Sequence, residues 1–299
     1  MNKRADWLQD HKSNIFSQCG EDGIIKKILD TLPTTDHWCV EFGALDGKTL
    51  SNTRNLIENS GYSAVLIEAS KTRFKQLQLN FAHNNRVLAL NQFVGFNAND
   101  NLDSILEHTN VPIDFDFLSI DIDGNDYHVW RAISRYQPKV VCIEFNHTIP
   151  NEVSFVQSAS PRINQGSSLK AIVELGKEKG YELVSAMGVN AFFVKDQYFQ
   201  LFEIADNSIH KIRTDLSAIT YLFIGYDGTV FLSGQRSLPW HLKMPIRESS
   251  MQQLPSFLRK FPENYGKAEM AMAAIYLFAK HPRAFVAAIK KRYRGKTGS

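Results

Sequence analysis

Runs of apolar, largely β-branched or aromatic residues alternate with helix-patterned segments over the first two thirds of the chain. Trp38–Phe42 and residues 64–68, 87–94, 115–120 and 140–145 are almost continuously apolar. That pattern suits strands of a parallel sheet covered on both faces. Between them, Ile24, Ile25, Ile28, Leu29 and Leu32 recur at helical spacing, with Glu21 and Asp22 in the first turn, where acids favour the helix dipole. Further helices are predicted over 52–60, 71–81, 102–108, 127–135 and 169–179, the last with Ser167 as N-cap and Gly180 as its stop. Residues 181–187 and 191–194, joined by Gly188-Val189-Asn190, then read as a hairpin, and 221–224 and 230–232, joined through Asp227-Gly228, as a second one. The expectation is an α/β domain over 1–195 and a carboxy-terminal extension over 196–299.

The first strand–turn–helix carries the chemistry. Gly43 and Gly47 frame a turn at the carboxyl end of the first strand, where an open α/β sheet places its ligand. The turn reads G-A-L-D-G, with no third glycine for a dinucleotide fingerprint, and Glu41 and Asp46 would face a pyrophosphate with like charge. Such charges about 4 Å apart repel by roughly 4 kcal/mol at an effective dielectric near 20. Gly47-Lys48-Thr49 completes part of a phosphate-binding loop, yet the glycine required five positions earlier is Phe42. S-adenosylmethionine, a phosphate-free nucleoside bearing a sulfonium and an ammonium, matches the acidic turn better. Its carboxylate would take N–H groups at Ser51, Asn52 and Thr53, and its ribose would take Glu68 at the end of the second strand. The competing reading makes Glu41 and Asp46 solvated turn residues and Glu68 a helix cap.

Five stretches, "SQCGEDGII" (17–25), "VEFGALDGKTLSNT" (40–53), "VLIEAS" (65–70), "FLSIDIDGNDYHVW" (117–130) and "VVCIEFN" (140–146), resemble the FkbM-like family of class I methyltransferases. The resemblance spans about residues 17–195. It implies a Rossmann-like seven-stranded sheet with helices on both faces and a terminal antiparallel hairpin. It also implies methyl transfer from S-adenosylmethionine, often to a hydroxyl of a sugar or secondary metabolite. It sets the cofactor against Gln18, Glu41, Gly43, Ala44, Asp46, Gly47, Asn52, Thr53, Glu68, Ala69, Ser70 and Asp121. Where the family's usual motif reads I-D-V-E-G, this chain has Ile120-Asp121-Ile122-Asp123-Gly124.

Asp121 and Asp123 follow the fourth strand, and Glu144 and Asn146 the fifth; adjacent strands about 4.8 Å apart would let them converge. Two roles compete for them. Either Asp121 holds the cofactor's ammonium while Asp123 or Glu144 accepts a proton, or Asp121, Asp123, Glu144 and Asn146 hold Mg²⁺. A similarity to catechol O-methyltransferases at these two strand ends supports the metal. His147 is a further candidate base and His128 a weaker one, being within a predicted helix.

Charge changes the picture at one end only. The net charge of the 299 residues is +3, but residues 270–299 hold seven Lys/Arg and no acid, so residues 1–269 carry −4. An acidic body and the lack of an N-P-P-Y or D-P-P-Y motif argue against nucleic-acid methylation. The tail (Lys280, Arg283, Lys290, Lys291, Arg292, Arg294, Lys296) reads as two helices broken near Pro282. It suits a homo-oligomer contact or peripheral attachment to anionic lipid. No apolar run is long enough to span a bilayer, the amino terminus lacks a secretory pattern, and Cys39 and Cys142 sit in apolar runs as reduced thiols would. A cytoplasmic protein, membrane-peripheral if the tail attaches, is the expectation. The functions in view are a sugar or glycan O-methyltransferase, a metabolite methyltransferase with no glycan link, and a non-catalytic binding module tethered through its tail.

Overall fold

In the computed structural model, residues 3–283 and 285–287 are described. The chain divides into two compact units, Met1–Leu216 and Ser217–Ser299. The first unit is built on a seven-stranded sheet of order β3-β2-β1-β4-β5-β7-β6. Its strands are β1 (Trp38–Phe42), β2 (Ser63–Ile67), β3 (Val87–Leu90), β4 (Phe117–Ile120), β5 (Val140–Glu144), β6 (Tyr181–Met187) and β7 (Asn190–Lys195). The first five run parallel, and β7 is antiparallel to both its neighbours. Helices α1 (Glu21–Thr31), α2 (Arg54–Asn59), α3 (Lys71–Asn80), α4 (Leu102–Leu106), α5 (Asp126–Ala132) and α6 (Leu169–Glu178) alternate with the strands. Successive residues of β4 and β5 point to opposite faces, yet all but Glu144 are buried, so both faces of the sheet are covered.

Three expectations shift. The third strand stops at Leu90 rather than continuing to 94, because Asn91 turns away to donate its side-chain amide to the carbonyls of Glu68 and Ala69. The N-cap of α6 is Ser168, whose Oγ accepts from the Ala171 N–H at 3.2 Å; Ser167 is buried one residue upstream. The first unit also extends past Lys195. Phe202, Ile204 and Ile212 join its core, and Gln9 Nε2 donates to the carbonyls of Ala186 and Ile212.

The second unit contains the antiparallel pair Thr220–Ile224 and Val230–Gly234, a smaller pair Ser237–Leu238 and Met244–Pro245, and a helix over Lys267–Lys280 that stops before Pro282. Lys280 and Arg283 are described, whereas Lys290, Lys291, Arg292, Arg294 and Lys296 lie outside the described residues. No helix among the described residues is long and apolar enough to cross a membrane.

What fixes the first turn to the sheet is a close approach. Gly43 has φ +75°, and a Cβ there would lie 1.8 Å from the Asp121 carbonyl oxygen, so the exits of β1 and β4 touch with no room for a methyl group. Gly61 has φ +73° but nothing within 4 Å of its virtual Cβ. Gly43→Ala should cost roughly 3 kcal/mol or more, about 6–12 °C in thermal midpoint. Gly61→Ala, which meets only backbone strain, should cost about 1 kcal/mol. Equal shifts in the two variants by calorimetry would refute the packing argument.

Candidate active site

The carboxyl ends of β1, β2, β4 and β5 carry Glu41, Glu68, Asp121 and Glu144, with Asp123 and Asp126 close behind. Three of these six acids, Glu41, Glu68 and Asp126, are occupied by several of the protein's own donors. Glu41 is buried, and it accepts from the Ser51 hydroxyl at 2.7 Å, the Thr53 hydroxyl at 2.6 Å and the Asn52 N–H at 2.9 Å. Burial raises its pKa, and these three donors oppose that rise. Glu68, also buried, accepts from the Leu45 N–H at 2.9 Å and the Ser70 N–H at 2.6 Å, so it ties the first turn to the start of α3. Ser70 Oγ in turn caps α3.

The turn itself is closed by local bonds. Ala44 N–H donates to the Ile67 carbonyl, and Gly47 N–H to the Ala44 carbonyl. Asp46 accepts from the N–H groups of Lys48 (2.9 Å) and Thr49 (2.7 Å) and from the Thr49 hydroxyl. Burial would raise its pKa, but those donors prevail and hold it below the ordinary carboxylate range. Two of the three N–H groups expected to meet a ligand carboxylate are likewise taken, Asn52 by Glu41 and Thr53 by Ser51 Oγ, which also accepts from the Arg54 N–H. Glu41, Asp46, Asn52 and Thr53 therefore hold the turn's shape, because hydroxyl-bearing Ser51, Thr53 and Thr49 supply donors at short range. Asn52 Nδ2 reaches across to Ser119 Oγ on β4 at 3.1 Å.

The amino-terminal segment uses the same device. Asp22 Oδ2 collects the N–H groups of Ile15, Phe16 and Ser17 and the Ser17 hydroxyl, each at 2.8 Å. Its Oδ1 is buried with no partner among the described residues. Glu21 accepts from the Cys19 N–H at 2.7 Å and from Asn190 Nδ2 at 3.1 Å, which anchors the segment to the start of β7. Gln18 is exposed, and its carbonyl accepts from Asn14. Asp22 is close enough to Glu41 to raise that residue's pKa. An orphaned, buried acceptor beside Glu41 fits a cationic, donor-bearing ligand such as an ammonium.

The acids left over are the central ones. One oxygen each from Asp121, Asp123 and Glu144 lies within 4.8 Å of the others. Among the described residues no donor reaches the carboxylate of Asp121 or Asp123, and Glu144 takes only the Asp123 N–H. Burial, then Asp126 and Asp123, push Asp121 up to about 7. Burial, then Asp121, Asp126 and Asp123, push Glu144 up to about 9. Asp123 sits in the left-handed region at φ 58°, so Asp126 must hold the hairpin-like exit of β4. It accepts from the Ile122 N–H at 2.9 Å and the Gly124 N–H at 2.8 Å. Burial pushes Asp126 up to about 6 against those two N–H groups. The sequence signal for this missed residue is an acid in the first turn of a helix two places after a glycine.

Asn146 departs from the four-ligand expectation. Its amide oxygen accepts from the Thr148 N–H and hydroxyl at 2.9 and 2.6 Å, and its Nδ2 donates to the Gln165 carbonyl. The atom a cation would need is engaged in a turn. His147 lies outside the acidic cluster, and burial and then Arg213 lower its pKa. His128 Nε2 pairs with the Gln157 carbonyl at 2.8 Å and its ring packs against Phe96 and Tyr127, so it is structural. The irregular segment between β5 and α6 is stitched at two points. Buried Gln157 accepts from the N–H groups of Gln165 and Gly166 and donates to the Ile163 carbonyl. Arg213 donates to the carbonyls of His147 and Ile149 and to Asn151 Oδ1.

Residues 99–183, which include Asp121, Asp123, Glu144 and His147, match the family described as Methyltransferase FkbM domain. No curated protein matches the chain. Among solved structures, the chain is similar to the N-terminal domain of EvdMO1 in the presence of S-adenosylhomocysteine and D-fucose. That similarity has 11% identity, covers 64% of this chain and 93% of that one, and has a TM-score of 0.38. It is also similar to TYW2 from M. jannaschii in complex with S-adenosylmethionine (14% identity, 61% and 79% covered, TM-score 0.35). A third is the magnesium protoporphyrin IX methyltransferase ChlM from Synechocystis PCC 6803 with bound S-adenosylhomocysteine (9% identity, 58% and 81% covered, TM-score 0.38).

The raised acid has a stability consequence. A carboxyl whose folded pKa exceeds its ordinary 4.5 contributes fully below that value, and the contribution is lost as pH rises towards about 9. In a chelator, Glu144→Gln should therefore match the native chain at pH 4.5 and exceed it by about 1–2 kcal/mol at pH 8–9, discounted for partial exposure. A variant less stable than the native chain at pH 8 in denaturant titrations would contradict the assignment.

Proposed function

We propose that this FkbM-like, S-adenosylmethionine-dependent methyltransferase methylates a hydroxyl oxygen of a sugar, glycan or related small metabolite. The observation that carries the reading is the Asp121, Asp123 and Glu144 cluster: three carboxylates gathered at adjacent strand ends, Asp121 and Asp123 with no donor among the described residues and Glu144 with only the Asp123 N–H, where Glu41, Glu68 and Asp126 each have at least two. The Gly43 turn touches the Asp121 carbonyl, and the orphaned Asp22 Oδ1, which acts on Glu41, fits the cofactor's cationic amino-acid end. The FkbM resemblance favours a sugar-type acceptor.

In the transfer, the acceptor oxygen forms its bond to the methyl carbon as the carbon–sulfur bond breaks. The bonding pair returns to sulfur, giving a neutral thioether, and the hydroxyl proton leaves for a carboxylate. Asp123 is the candidate proton acceptor, and Glu144, held protonated up to about 9 by burial and its neighbouring acids, becomes one where a bound cation ionises it. Asp121, nearest to the Gly43 turn, is the candidate partner of the cofactor's ammonium. An all-oxygen, triply acidic set also fits Mg²⁺, which Asp121, Asp123 and Glu144 would hold. Bound there, the ion would lower the pKa of a coordinated hydroxyl. The remainder of the chemistry belongs to the chain: Glu41, Glu68 and Asp126 hold the three exits, and Gln157 and Arg213 hold the segment after β5.

Calorimetry with S-adenosylmethionine, followed by labelled-methyl transfer to a panel of sugars and small glycans, tests this. Asp123→Asn and Glu144→Gln should bind the cofactor within about threefold of the native chain and lose on the order of 100-fold or more in turnover. Mg²⁺ should raise the thermal midpoint of chelator-treated native protein but not that of Asp123→Asn. Turnover of both variants within threefold of native would remove the cluster from the reaction. Transfer to amines alone would remove the hydroxyl acceptor.

A further inference from the structure

Residues 217–299 hold thirteen Lys/Arg and four Asp/Glu, net +9, which leaves −6 for residues 1–216. Two of these cations are spent on acids of the same unit: Lys260 pairs with Glu269, and Arg236 Nη1 lies 3.4 Å from Glu248 Oε1. Arg259 is different. Its Nε is buried with no partner, and among the described residues no hydrogen bond, ion pair or ring contact engages its guanidinium. A buried donor left without an acceptor destabilises a fold unless something else supplies that acceptor.

The same side chain borders a cavity of about 540 Å³ built wholly from the second unit, a size that suits a small ligand. Among the described residues that line it, Arg259 is the one cation and Glu248 the one acid. Glu248 Oε1 already accepts from the Leu232 N–H at 3.0 Å. The walls are fixed by their own bonds. Gln252 Oε1 accepts from the Val230 N–H at 3.0 Å and its Nε2 donates to the Val230 carbonyl at 2.8 Å, pairing with Val230 as a neighbouring strand would. The Tyr276 hydroxyl, on the helix over Lys267–Lys280, donates to the Gln253 carbonyl at 2.6 Å. Arg259 is itself held from both sides: Leu258 is buried and its carbonyl accepts from the Tyr265 hydroxyl, while Lys260 is tied to Glu269. Asp227 is held below the ordinary carboxylate range by the Thr229 N–H and hydroxyl first and by Arg259 last, so Arg259 lies near it without pairing.

We propose that this cavity binds the carboxylate or phosphate group of a small polar molecule, with the Arg259 guanidinium on the oxyanion. A guanidinium presents a planar fork of donors that matches two oxygens of either group. The positive charge of the unit favours an anion's approach. A neutral sugar would meet the hydroxyl and amide groups of Ser249 and Gln253 on the wall but would leave the guanidinium without an opposite charge.

The test uses the full chain with acetate, inorganic phosphate, glucuronate and glucose 1-phosphate as probes, and glucose as the neutral control. In titration calorimetry at about 0.05 M salt, at least one of the anions should bind with a Kd below about 1 mM, more weakly as salt is added, and glucose should not bind. Comparing acetate with phosphate, and glucuronate with glucose 1-phosphate, tells which oxyanion the cavity takes. In nitrogen-15 spectra, the Nε–H resonance that is lost in Arg259→Lys should shift with the same dissociation constant. Arg259→Lys should weaken binding about tenfold, since an ammonium lacks the fork, and Arg259→Met should abolish it. Because Arg259→Met also removes an unmet buried donor, its thermal midpoint should equal or exceed the native one. Arg247→Gln, which removes an exposed cation outside the cavity, should leave the affinity unchanged. Failure of every anion to bind, equal binding of glucose, or binding retained by Arg259→Met would overturn the proposal. So would an equal loss in Arg247→Gln, which would reduce the effect to the unit's overall charge, or a clearly lower midpoint in Arg259→Met, which would make Arg259 structural.

Discussion

A carboxylate taken out of water must be met by donors or by a cation, and the active end of this sheet is organised by that demand. Asp22, Glu41, Glu68 and Asp126 are met by N–H and hydroxyl groups of the chain. Each bond set fixes a different piece of backbone: the amino-terminal segment, the start of α2, the first turn and the exit of β4. Such charged acceptors bind more strongly than neutral ones and so hold irregular backbone in place. Asp121 and Asp123 are the exceptions, with no such donor among the described residues, and Glu144 has only the Asp123 N–H, so the backbone does not account for these three as it does for the others.

The sheet was legible because its pattern is simple. Continuous apolar runs with helical stretches between them require a covered parallel sheet, and β1 to β5 appear where those runs fall. The convergence of Asp121, Asp123 and Glu144 was legible for the same reason, since β4 and β5 are paired in register from Phe117↔Val140 to Ile120↔Ile143. What the sequence hides is which acid is already spoken for. Glu41 and Asp46 read as ligand contacts from their place in the motif. Their actual partners, Ser51, Thr53 and Thr49, depend on how the chain curls after Gly47, a tertiary fact that no periodicity records. Asn146 was misread in the same way, its oxygen turned towards Thr148. The boundary after Lys195 failed because the burial of Ile204 and Ile212 is decided by what they pack on, not by local pattern.

The two units differ in the sign of their charge as much as in fold. A mildly basic whole conceals a first unit of net −6 and a second of net +9. Net charge is thus a poor guide to partners in a chain of this kind, and the charge of each unit a better one.

The stretch that leads from β5 to α6 lacks regular structure, yet Gln157 and Arg213 pin it at separated places. Between such anchors, side chains and even loop length are free to change without unsettling the strands beneath. The segment that lies against Asp123 and Gly124 is thereby open to variation in its exposed side chains while the strand ends that carry the acids keep their places.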